Sequence, residues 1–314
     1  MTIDTATQVS HRRDDRYPSR LDSMPKLLPR HDPVVHGEAA WPLDADVVQS
    51  YADEGFLVLQ AYLAPREADA LNAELDRLAD DPGQRDRPET VIEPDNEELR
   101  SLFAIHTHRS PLGAITRDPR LANIARQLLG SDVYIHQSRA NLKPPFRGRE
   151  FYWHSDFETW HTEDGMPAPR AASCSILLDE NWPVNGPLLT IAGSHRWYVS
   201  CVGETPPAHF EESLRRQEVG TPDDASLAEL CARGRIEQCV GPVGTVVFFD
   251  SNMMHGSNSN ITPYPRRNLF VVYNSVDNTL EAPFAAGRPR PEHIASRRFD
   301  PLPSSLTTPQ EAAR

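Results

Sequence analysis

The chain has 314 residues, of which 39% are hydrophobic and 25% are charged, and its formal net charge is −13. This composition is typical of a globular protein with a single large core, and the net negative charge argues against a nucleic acid or an anionic membrane as a partner. The sequence shows neither an apolar run of about eighteen residues nor an N-terminal export signal, which predicts a cytoplasmic protein that spans no membrane.

The N-terminal part of the chain is predicted to be an arm followed by helices. Residues 1–40 are polar and contain several prolines, a composition that seldom folds alone, so they are expected to pack as an arm on the body. A short helix and a buried strand at 55–60 follow. Residues 65–79 begin with proline and carry apolar side chains at helical spacing, which predicts an amphipathic helix. The acidic stretch 80–98 is predicted to be a loop, and 119–130 a helix that ends at glycine.

After residue 130 the pattern changes to short apolar segments separated by glycine, proline and asparagine. This order favours a mainly β protein with flanking helices, whose core is a double-stranded β-helix of the jelly-roll, cupin-like kind. The domain is predicted to cover residues 41–300, with an inserted surface segment near 203–235 and a C-terminal tail at 301–314. The predicted strands are 132–138, 150–156, 172–178, 188–191, 244–249 and 267–275.

The run of aromatic residues that begins at Phe151 carries the first candidate metal ligands. His154 and Asp156 are two residues apart, so on a strand their side chains would point to the same face. His255, which is followed by Gly-Ser, is the best candidate for a third ligand. Two histidines and one carboxylate on one side of a metal are the facial triad of non-haem Fe(II) oxygenases, which leaves the opposite side open.

Each of these residues also has an ordinary structural interpretation. A lone histidine on a strand is usually a hydrogen-bonded structural residue, and an H-x-D pair by itself is a weak signal. Arg266 strengthens the hypothesis, because a buried cation near an Fe(II) site could neutralise the far carboxylate of a dicarboxylate cosubstrate. Strand alternation places the neighbouring Arg267 on the opposite face, so only one of the two should enter the core, and alternation alone does not decide which.

Several segments closely resemble the ectoine hydroxylases, a branch of the phytanoyl-CoA-hydroxylase-like Fe(II)/2-oxoglutarate dioxygenases. The most specific segment runs from Trp153 to Pro167, whereas the H-x-D pair and the distal histidine are shared by the whole superfamily. The resemblance covers nearly the whole chain apart from its ends. It includes Tyr17-Pro-Ser-Arg20, Asp32-Pro-Val-Val35, Gln137-Ser-Arg139, Asn141-Leu-Lys143, Asn185-Gly-Pro-Leu188 and His255-Gly-Ser257.

The resemblance implies a site and a reaction. The implied contacts are to Fe(II) from His154, Asp156 and His255, to 2-oxoglutarate from Lys143 and Arg266, and to ectoine from Gln137 and Trp160. The implied reaction hydroxylates ectoine, a compatible solute of osmotic stress, to 5-hydroxyectoine, consumes O₂ and releases succinate and CO₂. Beyond the metal ligands no catalytic residue is expected, because iron and cosubstrate carry the chemistry. The nearby acidic and histidine residues are interpreted as groups that order the loop: Glu158, His161, Glu163 and Asp164.

The resemblance also implies a homodimer, and two other functions remain open from the sequence. One is a related dioxygenase that hydroxylates another small zwitterion, such as a proline analogue or a free amino acid. The other is a jelly-roll metal-binding module without turnover, since strand patterns are shared across functions. Trp160 could likewise be an ordinary core residue instead of a platform for the ectoine amidinium. Lys143 and Arg266 argue against a binding module, which has no use for a cosubstrate clamp.

Overall fold

The computed structural model describes residues 15–21, 24–92, 98–206, 209–210 and 219–304. Parts of four predicted regions lie outside these described residues: 1–14 and 22–23 of the arm, 93–97 of the acidic loop, 207–208 and 211–218 of the inserted segment, and 305–314 of the tail. Within the described ranges, the helices are all too short or too polar to cross a membrane.

Most helices precede residue 130, and most strands follow it. The helices are α1 Ala45–Glu54, α2 Pro65–Ala79, α3 Pro82–Arg85, α4 Pro111–Ile115, α5 Pro119–Leu129, α6 Asp156–Thr159 and α7 Asp224–Arg233, and a π-helical turn at Trp160–Asp164 continues α6. The strands are β1 Lys26–Pro29, β2 Phe56–Leu59, β3 Thr90–Ile92, β4 Leu99–Phe103, β5 Val133–Lys143, β6 Phe151–Ser155, β7 Ala171–Leu177, β8 Leu188–Ala192, β9 Trp197–Ser200, β10 Arg235–Cys239, β11 Val246–Asp250, β12 Met254–Ser257 and β13 Arg266–Ser275.

The strands form two main antiparallel sheets and a small third one. The large sheet has the order β2-β11-β7-β13-β5-β4-β3, and the smaller one has the order β10-β8-β12-β6. In the small third sheet, β1 from the arm pairs with β9, with Lys26 opposite Ser200. Backbone hydrogen bonds therefore tie this part of the arm to the body. Two sheets with helices on the outside of the larger one form the predicted jelly roll with flanking helices.

Side-chain alternation in the large sheet separates a helix-covered face from an inner face. Along β11, Val246 and Phe248 pack in one apolar cluster with helical side chains such as Leu75 of α2. Val247 and Phe249 belong to a different cluster, which contains side chains from β8 and β10 of the smaller sheet. Because successive side chains of a strand point to opposite faces, each central strand contributes to both layers. The inner layer is the one that contains the candidate site.

A β-bulge divides β5 into two halves of opposite side-chain phase. Opposite β5, Val272 of β13 pairs with Gln137 while the next residue, Tyr273, pairs with Ile135, so His136 is an extra residue in the ladder. Ile135 packs with the helices, whereas Gln137 lines the inner pocket. Such a bulge re-aims every side chain that follows it. The second half of β5 therefore directs its odd-numbered residues to the interior.

The structure corrects several predicted element boundaries. The stretch 80–98 is not a plain loop, because it contains α3 and β3. Asp81 caps α3 by accepting a hydrogen bond from the backbone N–H of Gly83 at 2.9 Å, and β3 is held by pairing with β4, which was not predicted. The strand predicted at 132–138 continues to Lys143. The short strands β1, β9, β10 and β12 were also missed, since four or five residues carry little periodicity.

Candidate active site

Pairing between β6 and β12 places the two candidate histidine ligands side by side. His154 and His255 are direct cross-strand partners, and their ring centroids are 4.2 Å apart. The prediction that Asp156 continues the strand is wrong, because Asp156 begins α6. The chain turns after Ser155, and the backbone N–H of the next helical residue, Phe157, donates to the carbonyl of Ser251 at 2.8 Å. The turn still brings the carboxylate to the histidines.

The donor atoms of these three side chains converge on one point. Nε2 of His154 lies 3.7 Å from Oδ1 of Asp156, and Nε2 of His255 lies 3.8 Å from Oδ2. The three ligand atoms all lie within 4.8 Å of one another. Both imidazoles are oriented by a backbone carbonyl at the other ring nitrogen, Tyr152 O at 2.8 Å and Met253 O at 2.9 Å. Donation from Nδ1 leaves each Nε2 as the lone-pair atom that a metal requires.

Local electrostatics keep Asp156 and His255 in their metal-binding forms. Burial alone would raise the pKa of the Asp156 carboxyl, but the adjacent His255 and His154 hold that pKa well below its usual range. Burial, assisted by repulsion from His154, lowers the pKa of His255 to about 4. At neutral pH the group therefore offers a carboxylate and a neutral imidazole, which are the protonation states that bind a divalent metal. An N/N/O donor set of this kind fits Fe(II).

Lys143 and Arg266 lie opposite each other on β5 and β13. Both are buried, with exposures of 5% and 2%. Nε of Arg266 donates to the carbonyl of Gly186 at 3.1 Å, and Nζ of Lys143 donates to the carbonyl of Asn258. Gly186 has a φ of 75°, and a Cβ there would lie 2.5 Å from the Asn258 carbonyl oxygen and 3.3 Å from Nζ of Lys143. A side chain at position 186 would therefore crowd Lys143 and the carbonyl that it contacts.

Arg267 lies on the other face of β13. Its guanidinium pairs with Asp179 at 2.9 Å and with Asp76 of α2 at 3.0 Å. The sequence left open which of the two adjacent arginines faces the interior. Because α2 covers the Arg267 side of the sheet, Arg266 is the one that faces the interior. Burial, with Arg139 as a second cause, lowers the pKa of Arg266 to about 9, which still leaves the guanidinium charged at neutral pH.

A pocket opens beside the triad, and its empty space, which includes open solvent, is about 430 Å³. Gln137 and Trp160 both line it, together with His154 and Asp156 of the triad. Gln137 donates from Nε2 to the carbonyl of Ile294 at 2.9 Å, so its amide oxygen remains to accept a hydrogen bond from a ligand. Trp160 is 2% exposed. The other lining residues are Arg139, Phe151, Thr159, Glu163, His209 and Arg290.

Four charged or ionisable lining residues were not predicted as site residues: Arg139, Glu163, His209 and Arg290. Arg139 follows Gln137 by two residues on β5, so strand alternation was a usable signal for it. Arg290 lies outside every named helix and strand and pairs through two bonds with Asp164, at 2.8 and 2.5 Å. No local pattern in the sequence identifies such a residue. His209 belongs to the segment near 203–235, which was predicted to be a surface insertion.

The family of this chain follows from comparison with known proteins. Residues 51–268 match the family model described as Phytanoyl-CoA dioxygenase (PhyH). A curated ectoine dioxygenase of Bordetella bronchiseptica is 54% identical over 286 residues, which cover 90% of this chain and 93% of that protein. The chain belongs to the phytanoyl-CoA dioxygenase family, in its ectoine dioxygenase branch.

Two crystal structures of EctD from S. alaskensis have closely similar folds. The structure with bound Fe has a TM-score of 0.82 at 46% identity, and the match covers 92% of this chain and 97% of that chain. The structure with 2-oxoglutarate and 5-hydroxyectoine has a TM-score of 0.81 at 47% identity and covers 93% and 97%. The predicted family and the predicted jelly-roll fold are thereby confirmed.

The metal centre leads to a first prediction. Asp156→Ala should lower Fe(II) affinity by more than about 100-fold, because loss of a group that merely orients a ligand already costs about 10- to 100-fold. Anaerobic titration calorimetry measures this affinity. His293→Ala, which removes a half-buried histidine outside the pocket lining, is the matched control and should bind Fe(II) as the parent does. Near-parental Fe(II) binding by Asp156→Ala would show that the triad assignment is wrong.

Proposed function

We propose that this chain hydroxylates ectoine to 5-hydroxyectoine, with Fe(II) held by His154, Asp156 and His255, and with 2-oxoglutarate and O₂ as cosubstrates. The observation that carries the proposal is the convergence of the triad with a pocket that contains both an aromatic face and charges of both signs. When bound, iron and 2-oxoglutarate supply the oxidising chemistry, with succinate and CO₂ as products. The side chains bind, orient and exclude water.

Excess positive charge in the interior supports a dianionic cosubstrate. Lys143 and Arg266 lie opposite each other, and Arg139 is close enough to depress the pKa of Arg266. Burial also lowers the pKa of Arg139 below its usual range, and its Nε has no hydrogen-bond partner among the described residues. Buried like charges destabilise a protein unless an anion joins them. We assign the far carboxylate of 2-oxoglutarate to Arg266, assisted by Lys143.

The pocket chemistry supports a small zwitterion with a delocalised cation. Trp160 presents an aromatic ring to the pocket, and stacking of an amidinium on such a face contributes about 0.5–2 kcal/mol, depending on desolvation. The amide oxygen of Gln137 can accept from an N–H of the amidinium. One cation, Arg290, and one anion, Glu163, line the same pocket, and each also pairs with another buried group. A ligand that carries both charges is therefore complementary to the cavity.

The alternative functions fit these observations less well. A metal-binding module without turnover does not explain the buried cations beside the triad. A dioxygenase for another small zwitterion has the same general pocket, but the relatives at 44–54% identity are named ectoine dioxygenases, and EctD of S. alaskensis was crystallised with 5-hydroxyectoine. Ectoine is therefore the substrate that we favour over a proline-like compound or a free amino acid.

Mass analysis of a defined reaction tests the proposed function. Iron-loaded protein incubated with 2-oxoglutarate, O₂ and ectoine should form a product with one added oxygen atom and an equal amount of succinate. Proline and free amino acids are the comparison substrates. Succinate formation that depends on one of these compounds, with ectoine left unchanged, would replace the proposed substrate. Absence of turnover with every substrate would favour the binding module.

We also propose a homodimer located in the cytoplasm that contributes to protection against osmotic stress. The homodimer and the protective role rest on resemblance to the ectoine dioxygenases, and the location is the one predicted from the sequence. Light scattering of the purified protein measures the assembly, for which a mass of one 35.2 kDa chain would exclude the dimer.

The cosubstrate assignment predicts different effects for two adjacent arginines. Arg266→Ala should raise the Michaelis constant for 2-oxoglutarate by about 10- to 100-fold, because a charged hydrogen bond contributes about 1.5–3 kcal/mol. The Michaelis constant for ectoine should change much less. Arg267→Ala removes the neighbouring guanidinium, which pairs with Asp179 and Asp76 on the helix-covered side, and should affect stability more than either constant. Steady-state kinetics with each substrate varied in turn measure both effects. Equal increases in the Michaelis constant for 2-oxoglutarate in the two variants would contradict the assignment of Arg266 to its far carboxylate.

The assignment of Trp160 to ectoine predicts that truncation of its side chain uncouples decarboxylation of 2-oxoglutarate from hydroxylation. Trp160→Ala should retain Fe(II) binding and slow decarboxylation of 2-oxoglutarate but lose ectoine-dependent hydroxylation, and Trp160→Phe should fall between Trp160→Ala and the parent. A residue that only fills the core would behave differently, because its truncation costs about 3–5 kcal/mol of stability. Melting temperature and ectoine affinity are therefore measured on the same samples. A destabilised Trp160→Ala protein that binds ectoine normally would contradict the substrate role.

A further inference from the structure

The arm approaches the candidate active site through residues 15–20. Asp15 lies 2.9 Å from Nε2 of His161, and the ring of Tyr17 meets that of Phe157 edge to face at 5.1 Å between centroids. Ser19 donates to Oε1 of Glu158 at 2.6 Å. Side chains spaced along this segment thus contact α6 and the π-helical turn that follows it. The pocket-lining side chains of the same helical segment are Asp156, Thr159, Trp160 and Glu163.

Arg20 makes the densest set of these contacts. Its Nε and Nη2 donate to the two oxygens of Glu158 at 2.7 and 2.9 Å, and Nη2 also donates to Oε1 of Glu163 at 3.1 Å. Arg20 and Glu158 are almost completely buried, with exposures of 3% and 1%. A planar guanidinium that bonds a carboxylate at two points fixes direction as well as distance. One arm residue therefore fixes the helical segment on both sides of Trp160.

A third part of the chain closes over this contact. Nη1 of Arg20 lies 3.2 Å from the hydroxyl of Thr205, which in turn donates to the carbonyl of Ala285 at 2.8 Å. Gly220 has a φ of 74°, and a Cβ there would lie 2.4 Å from Oε2 of Glu158 and 2.6 Å from Nη2 of Arg20. The segment near 203–235 can approach the ion pair this closely only with glycine at position 220. The arm, the helical segment and the inserted segment therefore meet at Arg20.

The helical segment needs such external support. Its second half is a π-helical turn, a form that is rare as regular structure and is frequent at functional sites. The turn is stabilised locally by the hydroxyl of Thr162, which donates to the Glu158 carbonyl at 2.8 Å, and by the backbone N–H of Met166, which donates to the Trp160 carbonyl at 3.0 Å. Neither bond restrains the tryptophan side chain, which packs edge to face on His136 at 5.0 Å between centroids and in an apolar cluster that includes Tyr17 of the arm. The position of the aromatic ring therefore depends on contacts with the arm as well as with the body.

We propose that Arg20 is a positioning residue for ectoine, which acts through Glu158 and Glu163 to hold Trp160 and the Glu163 carboxylate in place at the pocket. The effect on ectoine rests on the proposed function, whereas the restraint of residues 156–164 does not. Arg20 touches no reacting group itself. Displacements of about 1 Å in a binding group can change turnover by about 100-fold. Loss of the two-point contact should therefore weaken the binding of ectoine and reduce its hydroxylation.

Arg20→Lys tests this role because it keeps the charge and loses the planar two-point contact. Its Michaelis constant for ectoine should rise by about tenfold or more, and more 2-oxoglutarate should be decarboxylated without hydroxylation, while the Michaelis constant for 2-oxoglutarate changes less than about twofold. Glu158→Gln weakens the same contact from the other side and should show the same pattern. Arg20→Met leaves two buried carboxylates without their cation, so its effect should exceed that of Arg20→Lys.

Arg30→Lys is the matched control. Arg30 is also a buried arginine of the arm, and it pairs with Asp250 at 2.8 Å instead of with residues 156–164. The control should lower the melting temperature and leave both Michaelis constants and the coupling ratio near the parental values. An Arg20→Lys protein that shows the same stability loss with parental ectoine kinetics and coupling would overturn the positioning role.

Hydrogen exchange of the metal-free protein gives a readout that does not require turnover. Amides within 157–165 should exchange faster in Arg20→Lys than in the parent, and those of Arg30→Lys should match the parent in this segment. If the parent fails to hydroxylate ectoine, the proposed function fails, and the exchange measurement still decides whether Arg20 restrains the segment. Parental exchange rates within 157–165 in Arg20→Lys would overturn that restraint.

Discussion

The pairing of β6 with β12 is the constraint on which the metal centre depends. It fixes the backbone of His154 opposite that of His255 by hydrogen bonds between the strands, so the spacing of the two Cα atoms does not rely on side-chain packing. The backbone carbonyls of Tyr152 and Met253, each two residues before a histidine, then fix the ring orientations. Only Asp156 comes from a different kind of element, a helix that begins where the strand ends. Two ligands are thus held by the sheet and the third by a turn.

Because Asp156 lies on a helix and not on a strand, its segment is held by side chains from other parts of the chain. The two histidines are held by strand pairing within the smaller sheet, whereas α6 and the π-helical turn are supported by long side chains from distant parts of the chain, Arg20 on one flank and Arg290 on the other. Buried ion pairs of this kind contribute geometry more than stability, because the loss of hydration offsets much of the attraction. The geometry on the substrate side of the centre is therefore set by side chains from distant segments instead of by strand pairing.

Much of the fold could be predicted from the sequence, for identifiable reasons. The helices α2 and α5 have a helical period of apolar residues and begin with proline, and α5 ends at Gly130 in a left-handed conformation. The central strands β11 and β13 contain runs of consecutive apolar residues, 246–249 and 269–273. The strands that were missed are short and depend on their partners, as β3 depends on β4. Their formation is decided by tertiary pairing, which local sequence does not encode.

The candidate site likewise contains some residues that the sequence identifies and others that only the folded structure identifies. His154, Asp156 and His255 follow from a recognisable spacing, although the helical start at Asp156 was not foreseen. The inward direction of Arg266 is decided by α2, whose Asp76 binds Arg267 on the other face, and alternation alone could not show it. Arg290 and Arg20 lie more than a hundred residues from the carboxylates they bind. Contacts between such distant residues become visible only once the chain is folded.

Because of the extra residue at position 136, the two halves of β5 direct their odd-numbered side chains to opposite faces of the sheet. Upstream of it the odd-numbered side chains pack against the helices. Downstream of it Gln137 and Arg139 line the cavity, and Lys143 lies opposite Arg266 in the interior. Deletion of one residue here would leave composition and apolar content almost unchanged, yet it would exchange the lining of the cavity for the apolar side chains that now face the helices. Insertions and deletions in this strand should therefore be far less tolerated than substitutions, and gaps among functional homologues should fall elsewhere.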